Sequence, residues 1–567
     1  MRGTLGANIV IHPRTRKALG ARFDEAVANL RYGTIGINAW TGVGYLTARA
    51  TWGAFPGHTL DDIQSGIGVV HNALLLARPE RTVVTGPFRP LRRSLLHGEP
   101  SISPTPPWFV DNPHRTHHWT ASHRLLGPPA LESAPGHLRR SHPRLTTALT
   151  DDITDRKALM PTTPVRQADR LYHDLLSPDE VREARSRTRK IAEDSVAPAA
   201  GRIANGNEKI DGFPRDVFDS LADAGLYRVS FGREVGGDGL AHPVMATAVA
   251  IEELAYYSSS IAAVFDVHCI LAGNTLTHGT PAQRKRWLRP VADGTVVGAF
   301  ATTEPEASSD LSPQAVQTVA VQQGDTWVLN GRKRWISNSP VAGFVVTLAR
   351  TGDRLSMFVV DTSLPGVRVG EPDQKMGNRG QLTADVWFED VELSDDALLG
   401  GEPGQGLRHA LATLTLGRVG IAAAGVGMAQ AAFDHAVAHL STREAFGRKL
   451  AANQHWQFLL ADRATEIDNA RTLYLKAALR RDAGEIFPEP EAAMAKHYGT
   501  RLSVDMARDA VQAFGGLGFA RELSADGTSG PVETIYRDSK IGEIYEGTNE
   551  IQKWVIARTI FGKEITG

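Results

Sequence analysis

The spacing of apolar residues divides much of the chain into helical and strand-rich regions. Apolar residues recur at three- to four-residue intervals in FPRDVFDSLADAGL (213–226) and PVMATAVAIEELAYYSSSIAAVF (243–265), a spacing typical of amphipathic helices. We therefore predict a helical region over residues 166–294, a strand-rich region over 295–398 and long helices over 399–567.

The central region carries the signals of β-hairpins. From Thr295 to about Asp361 the chain is rich in Val, Thr, Phe and Trp, which favour strands. The segments Gln323-Gly324-Asp325 and Thr351-Gly352-Asp353 interrupt this run and read as hairpin turns. We predict a small antiparallel β region between two helical ones.

Residues 91–165 have a different character. Pro, Ser, His and Arg dominate, as in PPALESAPGHLRRSHP, and hydrophobic periodicity is absent. This composition predicts a linker. Its four clustered histidines lack an acid or a Cys to complete a ligand set, so we predict no metal site at His114, His117, His118 and His123.

Composition narrows the functional classes. With 567 residues and 42% hydrophobic content, the chain can bury a large core. The formal charge of -1 argues against a nucleic-acid partner, and neither a basic helix nor a run of 18 apolar residues suggests a membrane. Cys269 is the only cysteine, and we expect it buried on a helix. A single Cys and the lack of a signal-like N-terminus favour a cytoplasmic protein.

Glu546 is the candidate for chemistry. It stands between Tyr545 and Gly547, ahead of a helix that Thr548 and Asn549 can cap and whose apolar residues recur at helical spacing. A carboxylate held there in an apolar cleft would have a raised pKa and could act as a general base. The alternative is an acid that only complements the helix dipole.

The sequence around Glu546 favours the interpretation of Glu546 as a general base. YRDSKIGEIYEGTNEIQ (536–552) resembles the active-site signature of the acyl-CoA dehydrogenase family. Five further blocks stand in family order within residues 165–567 and raise the specificity of the resemblance. They are FATTEPEASSD (300–310), GRKRWISNS (331–339), GRVGIAAAGVGMAQAAF (417–433), and the pair REAFGRKLAANQ (443–454) and QAFGGLGF (512–519).

The resemblance implies a fold. It is of the α+β class and mostly α: an N-terminal helical domain over 166–294, a middle antiparallel β domain over 295–398 and a C-terminal four-helix bundle over 399–567. It also implies FAD as the cofactor, with the flavin shared between subunits of a homotetramer or homodimer.

A function follows from the same resemblance. Glu546 removes the α-proton of an acyl thioester while the β-hydride passes to the flavin, giving a trans-2-enoyl product. The implied partners are acyl-CoA, or alternatively an acyl carrier protein, and an electron-transfer flavoprotein as electron acceptor. The implied substrate-binding residues are Ser309, Arg418 and Gly547. The implied FAD-binding residues are Thr303, Ser309, Trp335, Ser337, Arg443, Phe446, Gln454, Gln512, Gly515, Gly516, Thr548 and Glu550.

Two departures from the family pattern bear on the substrate. Thr415 replaces the Asp that often opens the substrate-side helix, and Glu306 and Ser308 stand in a loop that usually contains Gly. Both changes leave CoA and a carrier protein open as acyl carriers. Some members place the base on the substrate-side helix, where this chain has Gly417, so the role falls to Glu546.

Residues 1–90 resemble the C-terminal end of an aldehyde dehydrogenase. The resemblance rests on FDEAVANLRYGTIGINAW (23–40) and on RPERTVVTGPFRP (78–90). That family's reactive Cys and nucleotide-binding half would lie before such a tail, and neither stands in the sequence. We predict an inactive fragment, and a non-functional fusion product is the alternative for the whole chain.

Overall fold

The computed structural model describes residues 164–566 except 173, 175, 176 and 525–529, together with short segments nearer the N-terminus. Those segments are 6–9, 11–30, 34–37, 52–53, 69–70 and 82–85. The chain forms two compact units, residues 1–145 and 146–567, and each is described by itself. The expected linker with its four histidines lies outside the described residues, apart from 164 and 165.

The first unit contains strands and two short helices. Strands β1, β2 and β5 form a parallel sheet in that order, and β3 pairs with β4. Phe23, Val27, Ile35 and Ile37 are buried together between helix and sheet. The described elements are β1 (Gly6–Ile9), α1 (Pro13–Leu19), α2 (Ala21–Ala28), β2 (Thr34–Ile37), β3 (Trp52–Gly53), β4 (Val69–Val70) and β5 (Thr82–Thr85). The resemblance of this segment to an aldehyde dehydrogenase remains a prediction.

The second unit opens with a helical region. Ser258 has an extended backbone between α7 and α8, and its hydroxyl caps α8 by accepting from the Ile261 N–H. The helices are α3 (Ala168–Leu171), α4 (Asp179–Ile191), α5 (Ala200–Asn205), α6 (Arg215–Asp223), α7 (Pro243–Tyr257), α8 (Ser259–Asp266), α9 (Pro281–Gln283) and α10 (Arg289–Ala292). Cys269 is buried in the π-helical turn Val267–Asn274 that continues α8, as expected.

Seven described strands between residues 298 and 394 form one sheet. Its order is β10-β9-β7-β8-β12-β11, with β6 beside β9. The strands are β6 (Gly298–Ala301), β7 (Val319–Gln323), β8 (Thr326–Ser337), β9 (Phe344–Thr351), β10 (Arg354–Asp361), β11 (Val367–Val369) and β12 (Thr383–Ser394). Both predicted hairpins are confirmed, with Gly324 at φ +62° and Gly352 at φ +64° in their turns.

The sheet is mixed rather than wholly antiparallel, which corrects the predicted topology. Strand β6 runs parallel to β9 over four residue pairs, from Gly298 opposite Phe344 to Ala301 opposite Thr347. A hairpin forces neighbouring strands to be antiparallel. Strands β6 and β9 are instead separated in sequence by the whole β7–β8 hairpin, so β9 can return alongside β6 in the same direction.

Helices complete the unit, and the first three of them are long. They are α11 (Gly406–Thr442), α12 (Gln454–Asp482), α13 (Glu491–Phe514), α14 (Gly516–Phe519), α15 (Pro531–Ser539), α16 (Asn549–Phe561) and α17 (Lys563–Thr566), with the small hairpin β13 (Glu444–Ala445) and β14 (Arg448–Lys449) after α11. Among the described helices, α11 alone is long and apolar enough to cross a bilayer. However, 89% of its most apolar 18-residue window is buried in the protein, as in a core helix.

The main core joins these helices to one face of the sheet. On β9, Phe344, Val346 and Leu348 point into the helical core, whereas Val345 and Ala349 point into a second apolar cluster on the other face. This alternation is the two-residue period of a strand buried on both sides. Strand β9 is therefore covered on both faces.

Glycines on α11 allow its neighbours to approach closely. A Cβ at Gly425 would lie 2.7 Å from the Gly499 carbonyl oxygen of α13. A Cβ at Gly427 would overlap the Glu252 carbonyl oxygen of α7 and lie 3.0 Å from the Ala255 Cβ. Backbone atoms of neighbouring helices therefore occupy the space of the missing side chains.

This packing predicts opposite effects for two Gly→Ala substitutions. Gly427→Ala should lower the free energy of unfolding by about 1–3 kcal/mol, because the new methyl group must push backbone away. Gly201→Ala in α5 is the matched control, since no atom lies within 4 Å of its Cβ position. It should raise stability by up to about 1 kcal/mol through helix propensity. Denaturant unfolding of both variants measures the difference, and equal effects would contradict the packing argument.

Candidate active site

Glu546 lies in a short loop between the turn Lys540–Glu543 and helix α16. Its backbone has φ +52° and Gly547 follows at φ +84°, so two consecutive residues are left-handed. A non-glycine residue in this region is strained and persists only where its surroundings hold it. The Thr548 hydroxyl then accepts from the Ile551 N–H at 3.3 Å and starts α16, which confirms the predicted cap.

A fully buried lysine holds this loop from α13. The Lys496 ammonium donates to the Gly547 carbonyl at 2.8 Å and to Oδ1 of Asn549 at 3.1 Å, and the Gln552 amide donates to the same carbonyl at 2.8 Å. Burial lowers the pKa of Lys496 to about 7, although the nearby Glu546 acts to raise it. We did not single out Lys496 from the sequence. Its signal is a lone cation in the small, apolar run EAAMA before it.

The Glu546 carboxyl rests in a notch of α11. A Cβ at Gly417 would overlap Oε2 of Glu546, and Cδ2 of Leu271 lies 3.1 Å from the same position. Glycine is therefore required at 417 while Glu546 is seated there. The position of the alternative base considered from the sequence is thus occupied by the Glu546 carboxyl from another loop.

Burial dominates the electrostatics of Glu546. The residue is half-buried as a whole, but Oε2 is enclosed. Desolvation of that oxygen disfavours the negative charge that both carboxylate oxygens share. Burial raises the pKa of Glu546 to about 7, although the neighbouring Asp266 carboxyl, where it donates a hydrogen bond, and the charges of Lys496 and Arg418 act to lower it. A carboxyl group with that pKa is suited to accept a proton at neutral pH.

Asp266 faces Glu546 from the end of α8 and is only 1% exposed. Burial, and then the Glu546 charge, raise its pKa well above the usual range for aspartate. We did not single out Asp266 from the sequence either. Its only signal is that it is the one charged residue in the run SSSIAAVFDVHCILAG.

Arg418 is next to this notch but has a partner of its own. Its guanidinium pairs with the Glu489 carboxylate, and the side chain is nearly buried. Thr415, the residue in place of the family's Asp, donates its hydroxyl to the Leu411 carbonyl at 2.8 Å within the same helix. Glu306 is exposed on the loop after β6, in contrast to the enclosed Glu546.

A second group of predicted site residues lies along the end of β8. The Arg334 N–H donates to the Thr303 carbonyl at 2.9 Å, which brings Thr303 beside Trp335 and Ser337. Trp335 has φ +55° and its side chain is 56% exposed. Ser309 is exposed on the same loop as Thr303.

A buried ion pair holds the loop that carries Thr303. Lys333 on β8 donates to Oε1 of Glu304 at 2.7 Å and to the Thr302 carbonyl at 3.2 Å. Glu304 also accepts from the backbone N–H groups of Gln317 at 2.6 Å and Thr318 at 3.0 Å. Each oxygen of the buried carboxylate therefore has a donor, and the loop position is firmly set.

The Glu546 notch and the group of residues at the end of β8 are connected through helix α8. The Asn338 amide, one residue beyond β8, donates to the Val264 carbonyl at 3.3 Å and to the Gly298 carbonyl at 3.4 Å. Val264 stands two residues before Asp266 on α8, and Asp266 contacts Glu546. Helix α8 thus connects the β8 edge to the Glu546 notch.

A third group is carried by the far end of α11. Arg443 ends this helix, and Phe446 stands at the tip of the β13–β14 hairpin with φ +53° and 102% exposure. Arg443 follows Gly417 by 26 residues, which is about 39 Å along the axis at about 1.5 Å per residue. Residues at the two ends of α11 cannot contact the same flavin ring.

The glycine turn after α13 adjoins this far end. His439 stacks on Phe514 with ring centroids 4.1 Å apart, and Gln512 lies in the same last turn of α13. Gly515 has φ +60°, and no atom lies within 4 Å of the Cβ positions of Gly515 and Gly516. Gln454, also predicted as a site residue, is the first residue of α12.

Thr548 and Glu550 line a separate surface cleft of about 180 Å³. The cleft is rich in cationic side chains: its other lining residues are His497, Arg501, Lys540, Glu543, Ile544, Asn549 and Lys553. The Thr548 hydroxyl accepts the helix-cap hydrogen bond, so its O–H group can still donate in this cleft beside the exposed Glu550 carboxylate.

The β8 edge fits the isoalloxazine part of a flavin. A flavin ring needs hydroxyls and backbone groups at its polar edge and an aromatic or apolar surface against its face. Thr303 and Ser337 are half-buried, and within the part of the chain that the structure describes their hydroxyls hydrogen-bond to no protein group. The exposed Trp335 indole stands between them in sequence and offers the flat surface.

Comparison with protein families gives three consecutive matches. Residues 178–295 match the model of the acyl-CoA dehydrogenase N-terminal domain. Residues 299–391 match the middle domain, and residues 404–561 match the C-terminal domain.

Individual relatives agree with these matches. The short-chain specific acyl-CoA dehydrogenase of Rattus norvegicus mitochondria is 36% identical over 399 residues, which are 69% of this chain and 92% of that protein. The butyryl-CoA dehydrogenase structure from Megasphaera elsdenii is 32% identical with a TM-score of 0.63, and the match covers 68% of this chain and all of that one. A chain in the structure of the electron transferring flavoprotein of Acidaminococcus fermentans is 34% identical with a TM-score of 0.63, covering 69% and 100%.

The role of Lys496 can be tested by stability. Lys496→Met should lower the free energy of unfolding by about 1–3 kcal/mol, because it removes a buried donor from two oxygens. The Gly547 carbonyl would keep only the Gln552 amide, and the Asn549 oxygen only the Thr500 hydroxyl at 3.2 Å. Lys553→Met is the matched control, since Lys553 is exposed on α16. It should change stability by less than about 0.5 kcal/mol. A Lys496 variant as stable as the control would show that the lysine does not hold the loop.

Proposed function

Because the chain belongs to the acyl-CoA dehydrogenase family, we propose that it catalyses FAD-dependent α,β-dehydrogenation of an acyl thioester, with Glu546 as the base. The product is a trans-2-enoyl thioester. The observation that carries the assignment of the base is the enclosed Glu546 carboxyl against Gly417, with a pKa of about 7.

The proposed proton transfer uses groups of this chain only. Glu546 takes the α-proton, and the nearby charges of Lys496 and Arg418 favour its ionised form beforehand. In the described part of the chain the Glu546 N–H donates to no protein acceptor, so it is free to donate to the thioester carbonyl. That donation would make the α-proton more acidic by stabilising the enolate-like charge on the oxygen.

FAD, when bound, accepts the hydride from the β-carbon. We propose that Thr303, Trp335 and Ser337 hold its ring, supported by their shared position on the β8 edge and by the scaffold that α8 provides to Glu546. Ser309 stands on the Thr303 loop and would contact both flavin and substrate. Gly547 would contact the substrate next to the base.

The far end of α11 supports a shared cofactor site. Arg443 and Phe446 lie too far from Gly417 to serve the same ring, and Phe446 is fully exposed. We propose that this hairpin, with Gln454 and the Gln512–Gly516 turn, contacts the FAD of a second copy of the chain. A guanidinium binds phosphate oxygens in a bidentate manner, which suits Arg443 for the pyrophosphate. The oligomer would be a homodimer or homotetramer.

Acyl-CoA is the proposed substrate, and an electron-transfer flavoprotein is the proposed electron acceptor. Support comes from the named relatives, which include butyryl-CoA dehydrogenase and a chain from an electron transferring flavoprotein structure. Thr415 bonds within its own helix and Glu306 is exposed, so neither departure places a new charge in the notch of Glu546.

The proposal also includes a division of the chain into domains. We propose an N-terminal helical domain over 166–294, a β domain over 295–398 and a C-terminal helical domain over 399–567, supported by the three family matches. We propose that residues 1–90 are an inactive aldehyde dehydrogenase-like fragment and that 91–165 are a linker. The compact unit ending at residue 145 supports a separate body in this region.

Replacing the base tests the proposal directly. Glu546→Gln should bind FAD and acyl-CoA but reduce its flavin at least ~10²-fold more slowly, because the nearly isosteric amide cannot accept the α-proton. Single-turnover bleaching of the flavin band with butyryl-CoA measures the rate. Glu543→Gln, in the preceding turn, is the matched control and should keep the wild-type rate. A Glu546 variant that retains more than about a tenth of that rate would rule it out as the base.

A truncated chain tests the cofactor and the role of the first unit. Residues 146–567 form their own compact unit, so this fragment should fold and release one FAD per chain on denaturation, as the full chain should. The flavin absorbance of both purified proteins gives the ratio. A full chain that cannot take up FAD would contradict the proposed function, whereas loss of FAD in the fragment alone would make the first unit part of the fold.

A further inference from the structure

Two glycines one helical turn apart on α11 receive two carboxyl groups. A Cβ at Gly417 would overlap Oε2 of Glu546, and a Cβ at Gly420 would overlap Oδ1 of Asp266. Residues three apart on a helix are neighbours on one face. The side chains from the 546 loop and from α8 therefore lie side by side in one groove of α11, close enough to share a hydrogen bond.

The oxygens in this groove lack donors. Within the described residues, neither oxygen of Asp266 nor Oε2 of Glu546 has a donor partner, and all three are enclosed. Two carboxylates offer only acceptors, so a hydrogen bond between them exists only when one carries a proton. Two enclosed negative charges in contact are also strongly unfavourable. Adjacent seats for two enclosed carboxyl groups therefore favour one proton held between the two acids.

The charges around the pair favour a proton on Asp266. Glu546 faces the Lys496 ammonium of α13 and the Arg418 guanidinium of α11, which both favour its ionised form. Asp266 faces Glu546, the buried Tyr545 hydroxyl and the thiol of Cys269, and no cation acts on it appreciably among the described residues. The acid with cations nearby keeps the charge, and the acid without them keeps the proton.

We propose that Asp266 is a positioning residue which at neutral pH holds a proton and donates it in a hydrogen bond to the Glu546 carboxylate. The bond keeps the base ionised and directs its second oxygen toward the substrate. This inference rests on the proposed role of Glu546 as the base. When Glu546 takes the α-proton, Asp266 keeps its own, and the buried pair becomes neutral. The proton on Glu546 later leaves to solvent.

Two substitutions separate this role from simple packing. Asp266→Asn keeps the size and a donor, whereas Asp266→Val removes the donor. The measurement is the pH profile of single-turnover flavin reduction in the FAD-loaded full chain with butyryl-CoA. The rising limb of that profile reports ionisation of the base.

We expect the Asn variant to keep the limb near its wild-type position and the Val variant to move it to higher pH. On the acid side of the limb the Val variant should be about 10- to 100-fold slower, the usual effect of losing a hydrogen bond to a charged group, and the rate should recover as pH rises. Asp434→Asn is the matched control. Asp434 is also buried on α11 but accepts from Tyr256 and Gln430, so the limb should not move.

A second readout is independent of turnover. A buried protonated carboxyl group gives an acid C=O stretch in the infrared, distinct from that of a carboxylate. At a pH about two units above the limb, where Glu546 is ionised, the wild-type chain should show this band, Asp266→Asn should lack it, and Asp434→Asn should retain it. Because no substrate is involved, the result stands even if Glu546 proves not to be the base.

The proposal is overturned by any of three results. A limb that moves to lower pH in Asp266→Asn means that Asp266 was an ionised neighbour that raised the pKa of Glu546. A limb that moves in neither Asp266 variant means that no such bond exists. Absence of the acid band in the wild type means that the pair holds no proton. If Asp266→Val fails to fold, the Asn profile and the infrared band still decide.

Discussion

The contact between the Glu546 carboxyl group and the bare backbone of α11 at Gly417 sets the rest of this site. It encloses a carboxylate oxygen, which raises the pKa of Glu546 toward neutrality. The loop must take an uncommon backbone path to reach the notch, with Glu546 and Gly547 both left-handed. Lys496 compensates for this strain by holding the Gly547 carbonyl from inside the protein.

On the sheet side of the site, a buried ion pair likewise holds a loop in position. The Lys333–Glu304 pair fixes the loop that carries Thr303, and every oxygen of the carboxylate has a donor. Such pairs contribute little net stability, because desolvation offsets their attraction. Their value is in position: a well-bonded buried pair has one favourable arrangement, so the residues attached to it are held in place.

Sequence reasoning found the features that depend on neighbours in the chain. The Gly324 and Gly352 turns and the Thr548 cap follow local rules, and the structure confirms them. The parallel pairing of β6 with β9 was not found, because it depends on where a distant strand returns. The middle sheet is therefore only partly predictable from local patterns.

The same limit applies to the candidate site. Glu546 lies in a recognisable sequence motif. Asp266 and Lys496 instead act through contacts with the Glu546 loop, which is hundreds of residues away from Asp266 and tens of residues away from Lys496. Each is marked in the sequence only weakly, as a charged residue in or directly after a largely apolar run. A charged residue in such a run has few ways to be satisfied, so its partner is worth seeking, but the partner itself is visible only in three dimensions.

The notch at Gly417 also constrains how this protein can evolve. With Glu546 as the proposed base, an acid gained first at 417 would have to displace the seated Glu546 carboxyl, and losing Glu546 first would leave the notch without a carboxyl group. The effect of a substitution at either position would therefore depend on the residue present at the other.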